Sequence, residues 1–315
     1  MKYSGIGGQA VIEGIMMMKG EDYAVAVRRP DKEIEVKKDT YQSITKKAKI
    51  LQLPFVRGVF RFADSMIIGM RSLSYSASFF EDDEDAEPGK FEQLLDRVFG
   101  EKLESAIMAA VLVISFILAI GIFMLLPLGI ANLFKGVITS DHLMAVLEGV
   151  IRIAIFIIYI KLVSRMEDIR RTFMYHGAEH KCINCVEHGH PLTVKYVRES
   201  SKEHKRCGTS FILIVMVISI LMFMVIRVDT IWMRILSRII LVPVIAGISY
   251  EVLQCAGRSN SKFMDLVSRP GMWMQGLTTK EPDDSMIEAA TEAVFDWREY
   301  LTENFPGWEK QLEES

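Results

Sequence analysis

Two histidines and a glutamate, His176, Glu179 and His180, stand close together near the middle of the chain. Residues four apart share one face of an α-helix, so His176 and His180 can present their imidazoles to one metal ion. Glu179 is then placed to take a proton from water without being a ligand itself. The order His-x-x-Glu-His is that of the inverzincin metalloproteases, and it predicts a hydrolytic metal site.

The segment around this motif is rich in other side chains that bind metals. Five of the six histidines lie between positions 176 and 204, and three of the four cysteines lie in or next to the same segment. Imidazole and thiolate suit zinc, and a catalytic zinc site has three protein ligands and one open position. We therefore expect zinc or another divalent metal as cofactor. The alternative is a hydrogen-bonded cluster that holds no metal.

Two sets of ligands compete for this metal. In the catalytic set, the two motif histidines bind the ion and a third ligand comes from elsewhere in the chain. In the structural set, Cys182 and Cys185 join His204 and Cys207 in a closed four-ligand knot that does no chemistry. A redox role for Cys182-x-x-Cys185 is the weakest interpretation, because the strand, turn and helix of a thioredoxin-like site are missing around it.

Composition limits the class of protein. The chain has 315 residues, of which 50% are hydrophobic, and a formal net charge of −3. This charge argues against a nucleic-acid partner, which would need a basic surface. Four cysteines are too few for a disulfide scaffold of this length and indicate a reducing compartment. The first residues lack the apolar run of a secretory signal, so we expect no export by cleavage.

Four stretches have the length and composition of membrane spans, since about 20 apolar residues cross ~30 Å of hydrocarbon. The stretches are 106–126, 143–163, 209–226 and 235–253. The second contains Glu148 and Arg152, which lie four residues apart and can form an ion pair on one helix face.

The distribution of basic residues predicts the orientation of these spans. The link between the second and third spans carries nine Lys and Arg residues, against one between the first two spans and three (Arg227, Arg234 and Arg238) at the junction of the last two. Positive residues favour the cytoplasmic side. Both termini and the histidine-rich link are therefore predicted to lie in the cytoplasm.

Glu251 is the predicted third ligand of the catalytic set. It stands near the cytoplasmic end of the fourth span, and an acid inside an apolar helix is by default a functional candidate. Cys207 and His204 are the second choices. The alternative for Glu251 is an ion pair with Arg258 or Lys262 at the membrane interface.

The first part of the chain alternates apolar and polar residues, as strands do. The runs at 9–13, 23–28 and 33–37 predict a small antiparallel sheet, whose last two strands are joined by a turn at Pro30-Asp31-Lys32. Glu13 is flanked by apolar residues and is a candidate site carboxylate that is partly buried. Its alternative is a charge that only faces water.

The segments on either side of the spans are also distinctive. Residues 51–80 are apolar but carry several charges, which predicts an amphipathic helix at the membrane interface. The acidic run at 81–89 predicts a solvated linker. After Gly257 we expect a soluble tail, with a helix that opens at Leu277–Asp284 and continues to about Asn304.

The fold class predicted from these segments is an α-helical multi-pass membrane protein with a small N-terminal β-sheet and a C-terminal helix, both cytosolic. The predicted segments are a β region at 1–50, an interfacial helix and acidic linker at 51–104, spans one and two at 105–164, the His/Cys-rich link at 165–208, spans three and four at 209–256, and the tail at 257–315.

The chain resembles a family at four motifs spread over nearly its whole length. The motifs are Gly7–Met17, Tyr175–Lys181, Arg206–Phe211 and Thr278–Pro282. They are similar to those of the YqhQ-like bacterial membrane proteins, which are catalogued as predicted metal-dependent enzymes. The resemblance implies metal dependence, and it places Glu13, Cys207 and Glu281 in signature blocks. Because this label rests on the same His and Glu motif, it is not independent support for a metal site.

The sequence favours a metal-dependent hydrolase at the cytosolic face of a membrane, with Glu179 as general base and His176 and His180 as ligands. The substrate stays open among a peptide, a lipid headgroup and a small amide. A non-catalytic membrane scaffold with a zinc-bound or empty site is the main alternative. A transporter is a third, but four spans would require oligomerisation and no internal repeat is visible. Expected partners are membrane lipids and no nucleic acid, and a homo-oligomer stays open.

Overall fold

The computed structural model describes residues 2–80, 103–204, 207–226, 230–258 and 261–312. The acidic run at 81–89, for which a linker was predicted, lies outside the described residues. The chain divides into two compact units. One comprises residues 1–80 and 160–315, and the other comprises residues 81–159.

Four strands and a series of helices follow one another along the chain. The strands are β1 (Ile6–Val11), β2 (Gly14–Lys19), β3 (Asp22–Arg28) and β4 (Ile34–Thr40). The helices are α1 (Val56–Ala77), α2 (Leu103–Ile120), α3 (Leu126–Asn132), α4 (Asp141–Val163), α5 (Glu167–Glu187), α6 (Val194–Glu199), α7 (Gly208–Val225), α8 (Ile231–Arg258), α9 (Lys262–Thr278), α10 (Asp284–Ala293) and α11 (Trp297–Asn304). Short 3₁₀ turns occupy Ile44–Lys47, Lys49–Gln52 and Trp308–Leu312.

The strands form one antiparallel sheet in the order β1-β2-β3-β4, which confirms the predicted sheet. Strand β2 was not predicted, because its residues Ile15–Met17 are apolar without a break. This run is buried throughout, as expected of a strand that is covered on both faces of the sheet.

Helices cover both faces of this sheet. Ile15 and Met17 point to one face and share a core with residues of α5 and α10. Met16 and Val25 point to the opposite face and pack with Ile68 of α1. Alternate residues of a strand point to opposite sides, so the sheet holds α1 on one side and the motif helix α5 on the other.

Within the described residues, four helices are long and apolar enough to cross a membrane, as the sequence predicted. Their bounds are Val113–Asn132, Asp141–Val163, Gly208–Val225 and Ile235–Ala256. The predicted ion pair within the second is confirmed, with Arg152 Nη2 2.7 Å from Glu148 Oε1. Arg152 Nε also donates to the carbonyl of Phe123 over 3.1 Å, in the π-helical turn Gly121–Leu125 that joins α2 to α3.

The C-terminal part differs from the single helix predicted from about residue 277 to residue 304. Helix α9 ends at Thr278, and α10 starts only at Asp284, where the Asp283 side chain caps it by accepting from the Met286 N–H over 3.0 Å. A second break precedes α11, where Asp296 has a positive φ of 58°. The residues between α9 and α10 therefore form an extended segment beside α5.

Candidate metal centre

Helix α5 places His176 and His180 side by side, as their spacing predicts. Their ring centroids are 4.5 Å apart and the rings are tilted by 66°. His180 is 1% exposed, and residues 177–187 of the same helix are all buried. A helix this deeply covered fixes the direction of each side chain, so the two imidazoles are held at one place in the fold.

Cys207 completes a group of three potential ligands. Nε2 of His176 lies 3.2 Å from Sγ of Cys207, and one ligand atom from each of the three residues lies within 4.8 Å of the others. Three donors on a tetrahedral zinc ion, at ~2.0 Å for nitrogen and ~2.3 Å for sulfur, lie roughly 3.5 Å apart. The group therefore has the size of a three-ligand zinc site.

Backbone carbonyls set the tautomer of both histidines. Nδ1 of His176 lies 3.0 Å from the oxygen of Thr278, and Nδ1 of His180 lies 2.7 Å from the oxygen of Lys202. A carbonyl oxygen only accepts hydrogen bonds, so each Nδ1 carries the proton and each neutral ring keeps its lone pair on Nε2. Metal-binding histidines are commonly held in this way, and the lone pair of each Nε2 is then available as a ligand, with that of His176 facing Sγ of Cys207.

Gly177 lets the extended segment after α9 cross α5 at the site. A Cβ at this position would collide with the carbonyl oxygen of Lys280. The Lys280 N–H in turn donates to the oxygen of Phe173 over 2.8 Å. This close crossing brings the Thr278 carbonyl to His176. It explains why a glycine directly follows His176 in the motif.

Two polar residues of α5 hold the loop that leads to Cys207. The buried Lys181 ammonium donates to the oxygens of Arg198 and Ser200, at 2.7 and 2.9 Å. Asn184 Nδ2 donates to the oxygens of Ser201 and Glu203, at 2.6 and 2.9 Å. Together with His180, these side chains engage the carbonyls of five residues between 198 and 203, so the loop takes its path from α5.

His204 continues this loop but has a different role from the three ligands. Its backbone pairs with the buried side chain of Gln275, which accepts from the His204 N–H over 2.9 Å and donates to its oxygen over 2.7 Å. The His204 ring faces Glu187, with 3.6 Å between Nε2 and Oε2. Ser4 donates its N–H and its hydroxyl to the other oxygen of Glu187. His204 therefore anchors the loop against α5 and α9.

Glu179 lies at the same site and is only 6% exposed. Burial raises the pKa of this carboxyl group, while the neighbouring His176 and the backbone N–H of Gly8, which donates to it, lower the pKa by less. A Cβ on Gly8 would lie 3.0 Å from Cδ of Glu179, so the glycine permits this approach of β1. The result is a carboxyl group with a raised proton affinity beside the ligands.

A cavity of about 610 Å³ gives access to the three ligands and to Glu179. Its walls come from β1, α1, α5 and the adjoining parts of α7 and α8. Several apolar side chains line it, including Phe62, Phe211 and Leu253. Pockets of this size are typical of small-molecule sites, so the ligand group faces a space that can hold a substrate.

Glu251 is not at the site in the way that the sequence predicted. Its carboxylate binds the guanidinium group of Arg57, at 2.7 Å to Nε and 2.5 Å to Nη2. Helices α1 and α8 cross closely at Gly58 and Gly247, which have no side chains to separate them, and this crossing brings Arg57 to the acid.

Cys182 and Cys185 do not form the predicted four-ligand knot with His204 and Cys207. Both have 0% exposure and belong to the apolar core between α5, the sheet and α10. Burial raises the pKa of the Cys182 thiol well above its usual range and that of Cys185 to about 12. Both thiols therefore pack as core side chains, in surroundings that disfavour the thiolate form.

The two remaining candidates, Glu13 and Glu281, act through ion pairs. Glu13 sits in the turn between β1 and β2 with a φ of 46° and forms a bidentate pair with Arg171 of α5. Glu281 lies 2.7 Å from the ammonium of Lys181 and 3.5 Å from that of Lys202. Through these ion pairs, the two acids hold their own motifs, Gly7–Met17 and Thr278–Pro282, against α5.

Sequence reasoning missed the residues that orient the site. Gly8, Lys181 and Thr278 all lie in the quoted motifs, but nothing in their types shows that one donates to Glu179, one holds a loop and one offers a carbonyl to His176. Gln275 lies outside the motifs. The only signal of its role in the sequence is that it is a polar residue within the apolar stretch 271–277.

The chain is similar to proteins whose descriptions name no activity. A family model described as a protein of unknown function (DUF1385) matches residues 53–299. Over 288 residues, the chain is 34% identical to the uncharacterized protein YqhQ of Bacillus subtilis (strain 168), covering 91% of this chain and 90% of that protein. No solved structure gives a significant match. The matched family region includes all three potential ligands.

Proposed function

Because this chain belongs to the DUF1385 family, whose description names no activity, we propose a function from the site itself: a metal-dependent hydrolase of the bacterial cytoplasmic membrane. His176, His180 and Cys207 are the proposed metal ligands, and Glu179 is the proposed general base. Zinc is the metal that best suits two imidazoles and one thiolate.

Membrane placement is supported by the four long apolar helices. Nine basic residues in the link between the second and third of these helices favour a cytosolic position for that link and for both termini. The site is built from this link, so it would face the cytosol at the membrane surface. Reduced cysteines agree with that compartment.

The observation that carries the proposal is the group of three potential ligands, with each imidazole oriented through Nδ1 by a backbone carbonyl and a cavity in front of the group. A structural zinc site has four protein ligands, whereas a catalytic one has three and an open position. Since Cys182 and Cys185 are committed to the apolar core, the three-ligand set is the one that the fold supports.

A divalent metal bound here would act as a Lewis acid that lowers the pKa of water at the site. Glu179 would hold the proton that this water loses and deliver it to the leaving group. Burial, which raises the pKa of its carboxyl group, strengthens Glu179 as a proton acceptor. Thr278 and Lys202 would keep the two imidazoles in the correct tautomer throughout.

The test is metal analysis of the purified full-length protein, followed by cobalt substitution. We expect one metal per chain in the wild type and in Glu179→Gln, loss of metal in His180→Ala, and no loss in the control His190→Ala, whose ring pairs with Gln311. The cobalt spectrum should shift when acetohydroxamate is added, because an open position accepts it.

Two results would overturn the proposal. One is a purified wild-type protein that binds no divalent metal at neutral pH. The other is a cobalt spectrum that acetohydroxamate leaves unchanged, together with a protein that unfolds in chelator. That pair of results would favour a closed structural site and hence the non-catalytic membrane scaffold.

A further inference from the structure

A second, apolar cavity lies next to the candidate metal centre. It has a volume of about 310 Å³ and lies between α7, α8 and α9. We name it the apolar groove, and its lining includes Leu213, Val217, Val252, Leu253, Ala256 and Pro270. Two of its three helices are long and apolar enough to cross a membrane.

The apolar groove and the metal cavity share a wall. Leu253 lines both spaces. Ser210, at one end of the groove, accepts a hydrogen bond over 3.0 Å from Gln275, the residue that clamps the His204 backbone. The two spaces are therefore neighbours, with Leu253 between them.

The metal cavity has a cationic side chain on its own wall. Arg61 of α1 is exposed and lines the cavity, and it forms no hydrogen bond or ion pair within the part of the chain that the structure describes. A guanidinium group binds phosphate or carboxylate through paired hydrogen bonds. The polar end of a ligand in this cavity is thus expected to be anionic.

Helix α1 carries Arg61 on a surface suited to a membrane interface. Phe62, Met66 and Met70 follow at intervals of four residues and are 43%, 49% and 57% exposed. Residues four apart form one stripe along a helix. A helix with such an apolar stripe and basic residues lies in the interface of an anionic membrane, so the cavity would open where lipid headgroups are found.

From these observations we propose that the ligand of the site is an anionic membrane lipid, with its headgroup in the metal cavity near Arg61 and an acyl chain in the apolar groove. This inference deepens the proposed function and rests on its membrane placement. A peptide fits the groove poorly, because walls of carbon side chains would leave its N–H and C=O groups without partners. An acyl chain has no such groups.

Lipid retention by the full-length protein tests the proposal, with native mass spectrometry as the measurement and phosphatidylglycerol and phosphatidylcholine as probes. We expect the wild type to retain phosphatidylglycerol about tenfold better, as one paired charge-assisted contact implies. Arg61→Gln should abolish this preference, whereas Arg170→Gln, at an exposed arginine that does not line the cavity, should keep it.

A matched pair of variants on α7 tests the groove. Val217 lines the apolar groove and is 45% exposed, and Leu221 lies one turn further along the helix, outside the groove, and is 57% exposed. Val217→Trp should fill the groove and lower retention of both lipids about tenfold. Leu221→Trp should leave retention unchanged. Equal retention in Val217→Trp and wild type, or an unaltered preference in Arg61→Gln, would overturn the proposal.

The same measurement separates this inference from the proposed function. Chelator should remove the metal but leave lipid retention intact, because neither Arg61 nor the groove binds the ion. Retention with the expected pattern in a protein that never binds metal would overturn only the hydrolase. Metal binding with an open position, together with lipid retention that is unchanged in both Arg61→Gln and Val217→Trp, would overturn only the lipid assignment.

Discussion

Helix α5 carries two pairs of metal-binding side chains, and the fold uses them in opposite ways. His176 and His180 face a cavity, and each has a backbone carbonyl on Nδ1. Cys182 and Cys185, on the next turns, lie in the apolar core with no exposure. The difference teaches that a ligand motif becomes a site only where the surrounding segments leave space for an ion and supply polar partners to orient the donors.

The most severe test of this comparison is to remove one member of each pair. His180→Ala should lower zinc affinity by more than about 100-fold, since removing even a group that only orients a ligand costs 10 to 100-fold. Cys185→Ala should bind zinc as the wild type does. Competition of each full-length variant with a zinc-binding dye measures both affinities. Equal loss in the two variants would mean that the cysteines are ligands after all.

Gly177→Ala should give the next largest effect. Its methyl group would collide with the Lys280 carbonyl, and overpacking of this kind costs about 1 to 3 kcal/mol. Because the displaced segment also supplies the carbonyl that orients His176, zinc affinity should fall about 10-fold or more. Thermal unfolding and zinc titration of the same sample test this. Gly136→Ala, where a Cβ would meet open space, is the control.

Cys182→Ala should affect stability alone. The thiol is fully buried in the apolar core, and its loss leaves a small cavity that costs about 1 kcal/mol. Zinc affinity should not change. A lower melting temperature at unchanged metal content would confirm that this cysteine is a core residue, whereas loss of metal would contradict it.

Glu281→Gln should give the smallest loss of stability, and only at pH values at which Glu281 is charged in the folded protein. Burial raises the pKa of Glu281, but Lys181 and Lys202 lower it by more, so the folded-state pKa lies below the ordinary value. The stabilising contribution is then complete above the unfolded pKa of about 4.3 and is lost as the pH falls through the folded pKa. With 58% of the side chain exposed, it should not exceed about 1 kcal/mol.

Melting curves of wild type and Glu281→Gln at several pH values test this expectation. The difference in melting temperature should be constant near neutral pH and shrink toward zero in acid. Glu292→Gln, at an exposed acid of α10, should give no pH-dependent difference. A difference in melting temperature that grows as the pH falls would show that the ion pairs do not hold Glu281 in its charged form.

Local patterns were enough to predict part of the fold and of the site. Helical spacing paired His176 with His180, alternation predicted β3 and β4, and length with apolarity predicted the four long helices. These features depend on residues that are near one another in sequence, so periodicity carries the information.

The rest depends on which distant segments meet. Cys207 lies beside the two histidines, whereas Glu251 pairs with Arg57 because two helices cross closely at Gly58 and Gly247. The fate of Cys182 and Cys185 was decided by the sheet and α10 covering that side of α5. Neither event leaves a local pattern, and both involve partners more than a hundred residues away.

The extended segment after α9 has a consequence for how the protein is made. The imidazole of His176 takes its orientation from Thr278, and the loop before Cys207 is clamped by Gln275. Both residues leave the ribosome only after α7 and α8 have been synthesised. A nascent chain therefore carries the three potential ligands long before it can arrange them, and assembly of the candidate site becomes one of the last steps of biogenesis.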